Sequence, residues 1–504
     1  MIHHEVRVRK SSERLPRERQ LAWKLAELAR MPAIDDDTAE LVAARMIDNA
    51  GVVLAAINRK PVAAARAMAL ANPRAGGATL FGLNSEVTVG AEWAAWANAT
   101  AVRELDFHDT FLAADYAHPG DSIAPLLAVA QQTGRDGAAL ARAIAVAYEI
   151  HVALVKAIGL HPHKKDHVAH LCPATVIGIG RLLDLPTPVV YQAVNQAVHL
   201  SFSTRQSRKG EISSWKAFVP GFSGKLAIEA VDRAMRGEAS PSPIYEGEDS
   251  VIAWMLAGPD AIYDVALPAM DATPRAIHET YTKAHSAEYQ AQAFIDLALD
   301  LRRQLDLEAV TEIVVQTSHH THAVIGSGAN DPQKYDPDAS RETLDHSLPY
   351  ILAVALEDGA WHHERSYTAE RAHRPSTVAL WRKIRTIEDP TWSARYRDPD
   401  PAKRAFGGHV TVTLRSGRAI DAEVAVADAH PNGRRPWRLL DYEAKFRGLV
   451  EGIVAPEEAD RFIADARRLT SLTASELSRL NPVARRGLVK PDRPTGEGIL
   501  DWPH

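Results

Sequence analysis

The sequence predicts a mainly α protein with a large all-α helical domain and a smaller α+β lid domain inserted before the C-terminal helices. Three observations predict this fold class. From about residue 17 to 275, one segment after another carries apolar residues at three- and four-residue spacing. After residue 278, two segments are rich in β-branched residues, which favour strands. After residue 436 the helical spacing returns.

The predicted helices of the first domain have an Ala-rich face, which permits close packing. Several begin at a capping Asp, Ser or Thr and end at Gly, as the segment from Asp136 to Gly159 does. By the same rule Asp121 is expected to cap the helix that follows it. The segments are RQLAWKLAELAR, DTAELVAARMIDNAGVVLAAI, DSIAPLLAVAQQTG, DGAALARAIAVAYEIHVALVKAIG, PATVIGIGRLLDL, TPVVYQAVNQAVHLSF and SGKLAIEAVDRAMRG.

The second domain mixes helices and strands. HSAEYQAQAFIDLALDLRRQL and HSLPYILAVALEDG are predicted helices, and AVTEIVVQTS is a predicted strand. GHVTVTLRSGRAIDAEVAVA predicts a hairpin that turns at Ser416–Gly417. We therefore predict a helical domain over 1–278, an α+β lid over 279–436, and C-terminal helices with an extended tail over 437–504 that return to the helical domain. Clefts between domains are common small-molecule sites.

Composition excludes several classes of function. Basic residues number 58 and acidic residues 64, so the formal net charge of −6 provides no global attraction for nucleic acid or a membrane. The single cysteine, Cys172, excludes an internal disulfide, a four-cysteine zinc site and a three-cysteine iron–sulfur centre. The N-terminal segment is charged and has no apolar signal region, and no run approaches 18 uncharged apolar residues. We expect a cytoplasmic protein.

The segment ELDFHDTFLAADYAHPGD, residues 104–121, interrupts an Ala-rich helical context with seven polar or ionisable groups. Polar groups in a core are costly unless they are paired or functional. A helix cap would explain one of these polar groups and would leave the other six unexplained. The segment therefore predicts part of a functional site. The seven are Asp106, His108, Asp109, Thr110, Asp115, His118 and Asp121.

A second cluster, GLHPHKKDHVAHLCPAT, contains His163, His167 and His170 at helical spacing. That spacing would suit a transition metal, although no fourth ligand is evident. The alternative, which we favour, is a histidine that transfers a proton beside Lys164 and Lys165.

A third segment, STRQSRKGEISSWKAFVPGFSGK, places Arg205, Arg208, Lys209, Lys216 and Lys225 among Ser, Gly and aromatic residues. Such a half-buried loop suits recognition of carboxylates. A fourth, HETYTKAHSAEYQ, lies at the domain junction and contains Lys283. The histidines of SHHTH (318–322) and WHHE (361–364) have no evident acid–base partner and are expected at the surface.

This mixture of acids, histidines and lysines favours metal-free acid–base chemistry. Removal of a proton next to a carboxylate gives a dianionic enediolate, which needs nearby positive charge from a metal or from fixed cationic donors. A base takes the α-proton while an acid protonates the departing hydroxyl. The expected reaction is dehydration of a small hydroxy-polycarboxylic acid, with no cofactor and no metal.

Five motifs also resemble a known family. DFHDT…HP resembles the DFDDT…HP signature of the MmgE/PrpD family, and DHV (166–168), SSWKAF, TKAHSAEYQAQ and LDHSLPYILAVALEDG (344–359) follow in the family's order. The resemblance covers nearly the whole chain. It implies a homodimer of helical domain and lid, and a hydro-lyase that dehydrates the tricarboxylate 2-methylcitrate to 2-methyl-cis-aconitate in propionate breakdown, without an iron–sulfur cluster.

The resemblance also implies roles for residues. His118 would be the leading acid–base group and Asp106 its partner or the alternative base, with His167 as a second proton donor. Lys216, Lys283 and Arg205 would anchor carboxylates, and Thr110 would orient a substrate oxygen. His108, which replaces the family's middle Asp, and Asp109 are further candidates for substrate binding.

Two other functions stay open at this point. A cis-aconitate decarboxylase of the same fold would pass through a similar stabilised carbanion. A histidine-cluster metal protein, either hydrolase or scaffold, is a more distant alternative.

Overall fold

The computed structural model describes residues 1–209, 212–398, 400–489 and 498–499. The first 277 residues form what we call the helical part. Its helices are α1 (Leu21–Glu27), α2 (Asp36–Ala55), α3 (Lys60–Leu70), α4 (Ala91–Glu104), α5 (Ile123–Thr133), α6 (Gly137–Ala157), α7 (Val168–Leu182), α8 (Thr187–Ser201), α9 (Trp215–Met235) and α10 (Val251–Met255). Its strands are β1 (Ile2–Arg7), β2 (Pro73–Thr79), β3 (Thr88–Val89), β4 (Phe111–Leu112), β5 (Tyr116–Ala117) and β6 (Ile262–Leu267).

The next segment forms the sheet part. Its helices are α11 (Tyr289–Leu301), α12 (His319–Val324), α13 (Arg341–Leu344), α14 (Leu348–Asp358), α15 (Ala369–Ala372), α16 (Pro375–Trp381) and α17 (Pro390–Tyr396). Its strands are β7 (Val310–Thr317), β8 (Ile384–Glu388), β9 (Gly408–Leu414) and β10 (Ala419–Val424). They form one sheet in the order β10-β9-β7-β8, in which β7 and β8 are parallel and the other pairs are antiparallel.

The chain then returns to the helical part with α18 (Leu439–Val450) and α19 (Pro456–Arg467). Phe446 and Phe462 from these helices are buried in the same core as α2 and α6. A second core fills the sheet part between α11, α14 and the sheet. A small third cluster, which includes Phe111, Tyr281 and Phe406, joins the two parts.

Local chemistry explains where the helices begin and how closely they pack. The side chains of Asp35 and Asp136 accept hydrogen bonds from backbone N–H groups in the first turns of α2 and α6, so both act as N-caps. Gly221 brings α9 close to α4, because a Cβ there would lie 2.4 Å from the Thr100 hydroxyl. This close approach aligns the C-terminal end of α4 with the site described below.

Helix α6 is long and apolar enough to cross a membrane by length and composition. However, 78% of its most apolar window is buried inside the molecule. That burial is expected of a helix packed at the centre of a core.

The prediction of a mainly α fold with a small sheet domain is confirmed. The helical part also holds three two-stranded sheets, β1–β6, β2–β3 and β4–β5, which helical periodicity did not indicate. Asp121 does not cap α5 as expected; the N-cap position is Ser122, and the Asp121 carboxylate instead faces His108. The predicted domain boundaries stay predictions.

Candidate active site

A cleft lies where the helical part meets the sheet part. The space between its lining residues, with open solvent included, is about 470 Å³. The helical part contributes Arg103, Asp106, Thr110, Leu112, Tyr116, His118, Arg205 and Arg208 to its wall. The segment before α11 and the sheet part contribute Lys283, Glu288, Gln290, His320, Val324 and His346.

Asp106 lies just beyond the end of α4 and binds the cations of the cleft. Its φ of +49° is in the left-handed region, which is unusual for a residue with a side chain. Lys283 Nζ lies 2.5 Å from Asp106 Oδ1 and 3.0 Å from its carbonyl oxygen, and Arg103 donates to the same carboxylate. Burial alone would raise the pKa of Asp106, but Arg103 and Lys283 hold it well below its ordinary value. Asp106 is therefore a fixed carboxylate.

His118 has the geometry of a neutral base. Its Nδ1 lies 2.8 Å from the carbonyl oxygen of Asp109, so Nδ1–H donates and Nε2 keeps its lone pair. Burial, together with the charges of Arg103 and Lys283, lowers the pKa of His118 well below its ordinary value. A neutral imidazole with Nε2 available is what proton removal requires.

Behind His118 lies a buried row of alternating imidazoles and carboxylates. His108 Nε2 is 2.9 Å from Asp121 Oδ1, and His167 Nε2 is 3.7 Å from Asp121 Oδ2. His167 Nδ1 lies 2.8 Å from Asp166. The His108 and His167 rings each lie 5.3 Å from the His118 ring. The row holds the base in place and ends at Arg208, which binds the Asp166 carboxylate.

Asp109 and Thr110 hold the backbone around the base. The Asp109 carboxylate accepts hydrogen bonds from Gly120 N–H (2.9 Å) and the Tyr148 hydroxyl (2.6 Å). Gly120 is required here, because a Cβ would lie 2.7 Å from Asp109 Oδ1. The Thr110 hydroxyl donates to the carbonyl of Ala117 at 2.9 Å.

Lys216, in the first turn of α9, joins the two parts. Its Nζ lies 2.8 and 3.1 Å from the carboxylate oxygens of Asp345 and 4.0 Å from Asp106. Asp345 also binds Arg341 and its neighbour His346. Burial and the charge of Lys216 lower the pKa of His346 to about 4, although Asp345 opposes this. His346 is therefore neutral where it faces the cleft.

Two guanidinium groups differ in their partners. Arg208 is engaged by Asp166. Arg205 lies with its Cζ 5.8 Å from the centre of the Tyr116 ring, and among the described residues it has no carboxylate partner. A half-buried guanidinium of this kind is suited to bind a carboxylate of a ligand.

Two comparisons with known proteins bear on this cleft. The MmgE/PrpD N-terminal domain matches residues 19–263, and the MmgE/PrpD C-terminal domain matches residues 285–470. The chain belongs to the MmgE/PrpD family.

Several relatives in the MmgE/PrpD family are named 2-methylcitrate dehydratase. The protein of that name from Cupriavidus necator is 25% identical over 401 residues, which cover 74% of this chain and 79% of the relative. A mitochondrial one from Yarrowia lipolytica is 25% identical over 396 residues, 72% of each chain. The Escherichia coli one is 25% identical over 362 residues, 66% of this chain and 70% of the relative. These relatives support a lyase of the dehydratase type.

Within this MmgE/PrpD chain, the structure brings five of the nine predicted site residues to the cleft wall, namely Asp106, Thr110, His118, Arg205 and Lys283. The other four lie behind the wall, namely His108, Asp109, His167 and Lys216. His108 and Asp109 lie behind the wall and are engaged by protein groups. Their contact with substrate stays a prediction.

Sequence reasoning missed several residues of the cleft. Arg103 ends an ordinary helix, and Glu288 lies within a motif that was noted for its lysine. His320 was expected at the surface, but it faces the cleft and stacks on Tyr396 at 5.2 Å. His346 follows Asp345 in the LDHS motif, whose partner Lys216 is 129 residues away. The resemblance of the LDHS motif to the family was the one feature of the sequence that could have indicated His346.

The structure also bears on metal binding. Among the residues it describes, one group of three His, Cys, Asp or Glu side chains has its possible ligand atoms all within 4.8 Å of one another. The group consists of Asp106, Asp345 and His346. The three histidines at 163, 167 and 170 do not converge. In the converging set, Lys283 already lies 2.5 Å from Asp106 and Lys216 lies 2.8 Å from Asp345. A divalent ion there would have to displace ammonium groups.

Proposed function

We propose that the chain dehydrates 2-methylcitrate to 2-methyl-cis-aconitate. One observation carries the proposal: a neutral His118 with a free Nε2 faces the same cleft as Lys283, Arg103 and Arg205. A base beside several cations is the arrangement that proton removal next to a carboxylate needs. The names of the relatives point to the same substrate.

The cations have two tasks in this proposal. Arg205 binds one substrate carboxylate, since it has no acidic partner among the described residues. Lys283 and Arg103 lie beside the carboxylate that becomes an enediolate and offset its growing charge. Asp106 keeps both of these cations in place. Lys216 lies behind Asp106 at 4.0 Å and is itself bound by Asp345.

His118 Nε2 removes the proton from the substrate carbon that carries the methyl group and a carboxylate. The electron pair forms the double bond as the hydroxyl leaves the neighbouring carbon. The Asp109 carbonyl fixes the Nδ1–H tautomer and supports the imidazolium that forms. Thr110 Oγ1 lies at the same wall and can accept a hydrogen bond from the substrate while it donates to Ala117.

We also propose that this chemistry uses no metal and no other cofactor. The support is electrostatic: each buried carboxylate in the converging set already has an ammonium counter-ion. The protein's own cations thus occupy the positions of a Lewis acid. The homodimer and the cytoplasmic location stay predictions.

The test is to incubate the protein with 2-methylcitrate and follow the product by proton NMR while released carbon dioxide is assayed. We expect a conjugated alkene and no carbon dioxide. The same assay is run with cis-aconitate. Release of carbon dioxide from cis-aconitate, with no turnover of 2-methylcitrate, would contradict the proposal and favour the decarboxylase alternative. An inert protein that binds metal would favour the metal-protein alternative.

A further inference from the structure

The departing hydroxyl needs a proton, and the proposed function leaves this task unassigned. His118 is the base in the proposed function. His167, the expected second donor, is 1% exposed and lies behind the wall between Asp121 and Asp166. A donor must reach the leaving oxygen within hydrogen-bond distance or through one water. Another group on the cleft wall can serve as the acid.

Glu288 is on that wall and is held rigidly. It is the N-cap of α11, where its Oε2 accepts a hydrogen bond from Gln290 N–H at 2.7 Å. Its own backbone N–H donates to the carbonyl of Asp345 at 3.1 Å. The capping bond uses one carboxyl oxygen, and among the described residues the other accepts no hydrogen bond. That oxygen is free to carry a proton toward a ligand.

The charges around Glu288 come from every element packed against it. Lys283 precedes it in the chain, Asp106 faces it from the helical part, and Asp345 and Lys334 face it from the sheet part. The ring of Tyr396 completes the surroundings. Two neighbouring carboxylates and a tricarboxylate ligand all favour a neutral Glu288. Burial acts in the same direction and raises the pKa of Glu288 to about 7, against the effect of Lys283.

We propose that Glu288 is the general acid that protonates the departing hydroxyl. The inference rests on the proposed function. His118 Nε2 takes the proton from carbon, the carbon–oxygen bond breaks, and Glu288 transfers its proton to the leaving hydroxyl, which departs as water. The imidazolium and the carboxylate that remain return to their starting states through solvent, so no oxidant or other reactant is needed.

The experiment compares two leaving groups. One substrate is 2-methylcitrate, and the other is its analogue with fluorine in place of the tertiary hydroxyl, which leaves as fluoride without needing a proton. Alkene formation is measured for both with the unaltered protein, with Glu288→Gln, and with Glu308→Gln as a matched control at an exposed position. We expect Glu288→Gln to lose about 10²–10⁴-fold in hydroxyl elimination, the usual contribution of a general acid, and to keep fluoride elimination.

Equal losses for both leaving groups would overturn the proposal, and so would full hydroxyl elimination by Glu288→Gln. A second measurement needs no variant. In the unaltered protein, the ratio of hydroxyl to fluoride elimination should fall as pH rises through about 7, when Glu288 loses its proton. A flat ratio would also overturn it. An unaltered protein that eliminates neither group would instead contradict the proposed function.

Discussion

The two walls of the cleft differ in charge. The helical wall, formed by Arg103, Asp106, His118, Arg205 and Arg208, carries three ions that are fixed by buried partners, namely Arg103, Asp106 and Arg208, and one guanidinium, Arg205, without a carboxylate partner among the described residues. The sheet-side wall is formed by His320 and His346, which burial keeps neutral, and by Glu288, whose pKa burial raises to about 7. Lys283 lies between them.

In the proposed function, this difference separates binding from proton donation. We expect the cations to attract the carboxylates of a substrate and to place its α-carbon beside His118. A neutral wall can approach the departing hydroxyl without repelling the same carboxylates. If the comparison is right, changes to the helical wall should alter binding and proton removal, and changes to the sheet-side wall should alter loss of the leaving group.

The largest effect is expected at the base. His118→Gln removes the nitrogen that takes the proton, so kcat should fall by about 10²–10⁴-fold. Because the cations remain, the affinity for an unreactive tricarboxylate should change little. Calorimetry and steady-state kinetics measure both quantities, and His319→Gln, at an exposed position, is the control. Normal turnover by His118→Gln would show that His118 is not the base and that the helical wall does not take part in proton removal.

The next effect is on stability, at the pair that joins the walls. Lys216→Met leaves the buried Asp345 carboxylate without its nearest cation, so the free energy of unfolding should fall by about 3–5 kcal/mol. Urea unfolding measures this change. The double variant Lys216→Met with Asp345→Asn should regain most of the stability. If the single variant were as stable as the unaltered protein, the pair would not hold the walls together.

A smaller effect is expected at Arg205. Arg205→Gln removes a cation with no acidic partner among the described residues, so KM should rise by about 10- to 100-fold, the equivalent of one charged hydrogen bond. The fold should keep its stability, because among the described residues no buried carboxylate loses a hydrogen bond or an ion pair. Lys209→Gln, an exposed change in the same loop, is the control. An unchanged KM would place the substrate carboxylates elsewhere.

The smallest effect tests the neutrality of the sheet-side wall. Burial lowers the pKa of His320 to about 3, against an ordinary value of 6.5. Below pH 6.5, His320 is therefore protonated in the unfolded chain but not in the folded protein. The free energy of unfolding falls as the pH falls. Relative to His320→Gln, the unaltered protein should lose about 1.4 kcal/mol for each pH unit between 6.5 and about 3. A difference that does not change with pH would mean that His320 is charged in the fold.

The same comparison shows what the sequence could predict. Most of the helical wall was predicted, because the polar residues of 104–121 and the basic residues of the loop before α9 contrast with their Ala-rich surroundings. Arg103, near the end of α4, was missed. The sheet-side wall was missed, because Glu288 lies in a segment that was noted for Lys283, and His320 belongs to the histidine set SHHTH, which was expected at the surface. Asp121 was misjudged for a related reason: its position before α5 fits a cap, but its buried partner His108 lies 13 residues earlier in the chain.

The elements of the fold also divide into those that local sequence predicts and those that it does not. Long helices show a repeating apolar pattern within their own segment, and the hairpin of β9 and β10 has a characteristic turn sequence. The two-residue strands β4 and β5 carry no such period, and the pairing of β1 with β6 joins positions about 260 residues apart. Tertiary packing decides these pairs.

The central claim is that ammonium, guanidinium and imidazole groups of the chain itself stabilise the charge that develops on the substrate. The most direct measurement is turnover of 2-methylcitrate by protein that has been dialysed against a chelator and found metal-free by elemental analysis. The account predicts full activity, with no increase when Mg²⁺, Zn²⁺ or Fe²⁺ is added back. Activity that disappears with the metal and returns with one of these ions would contradict it.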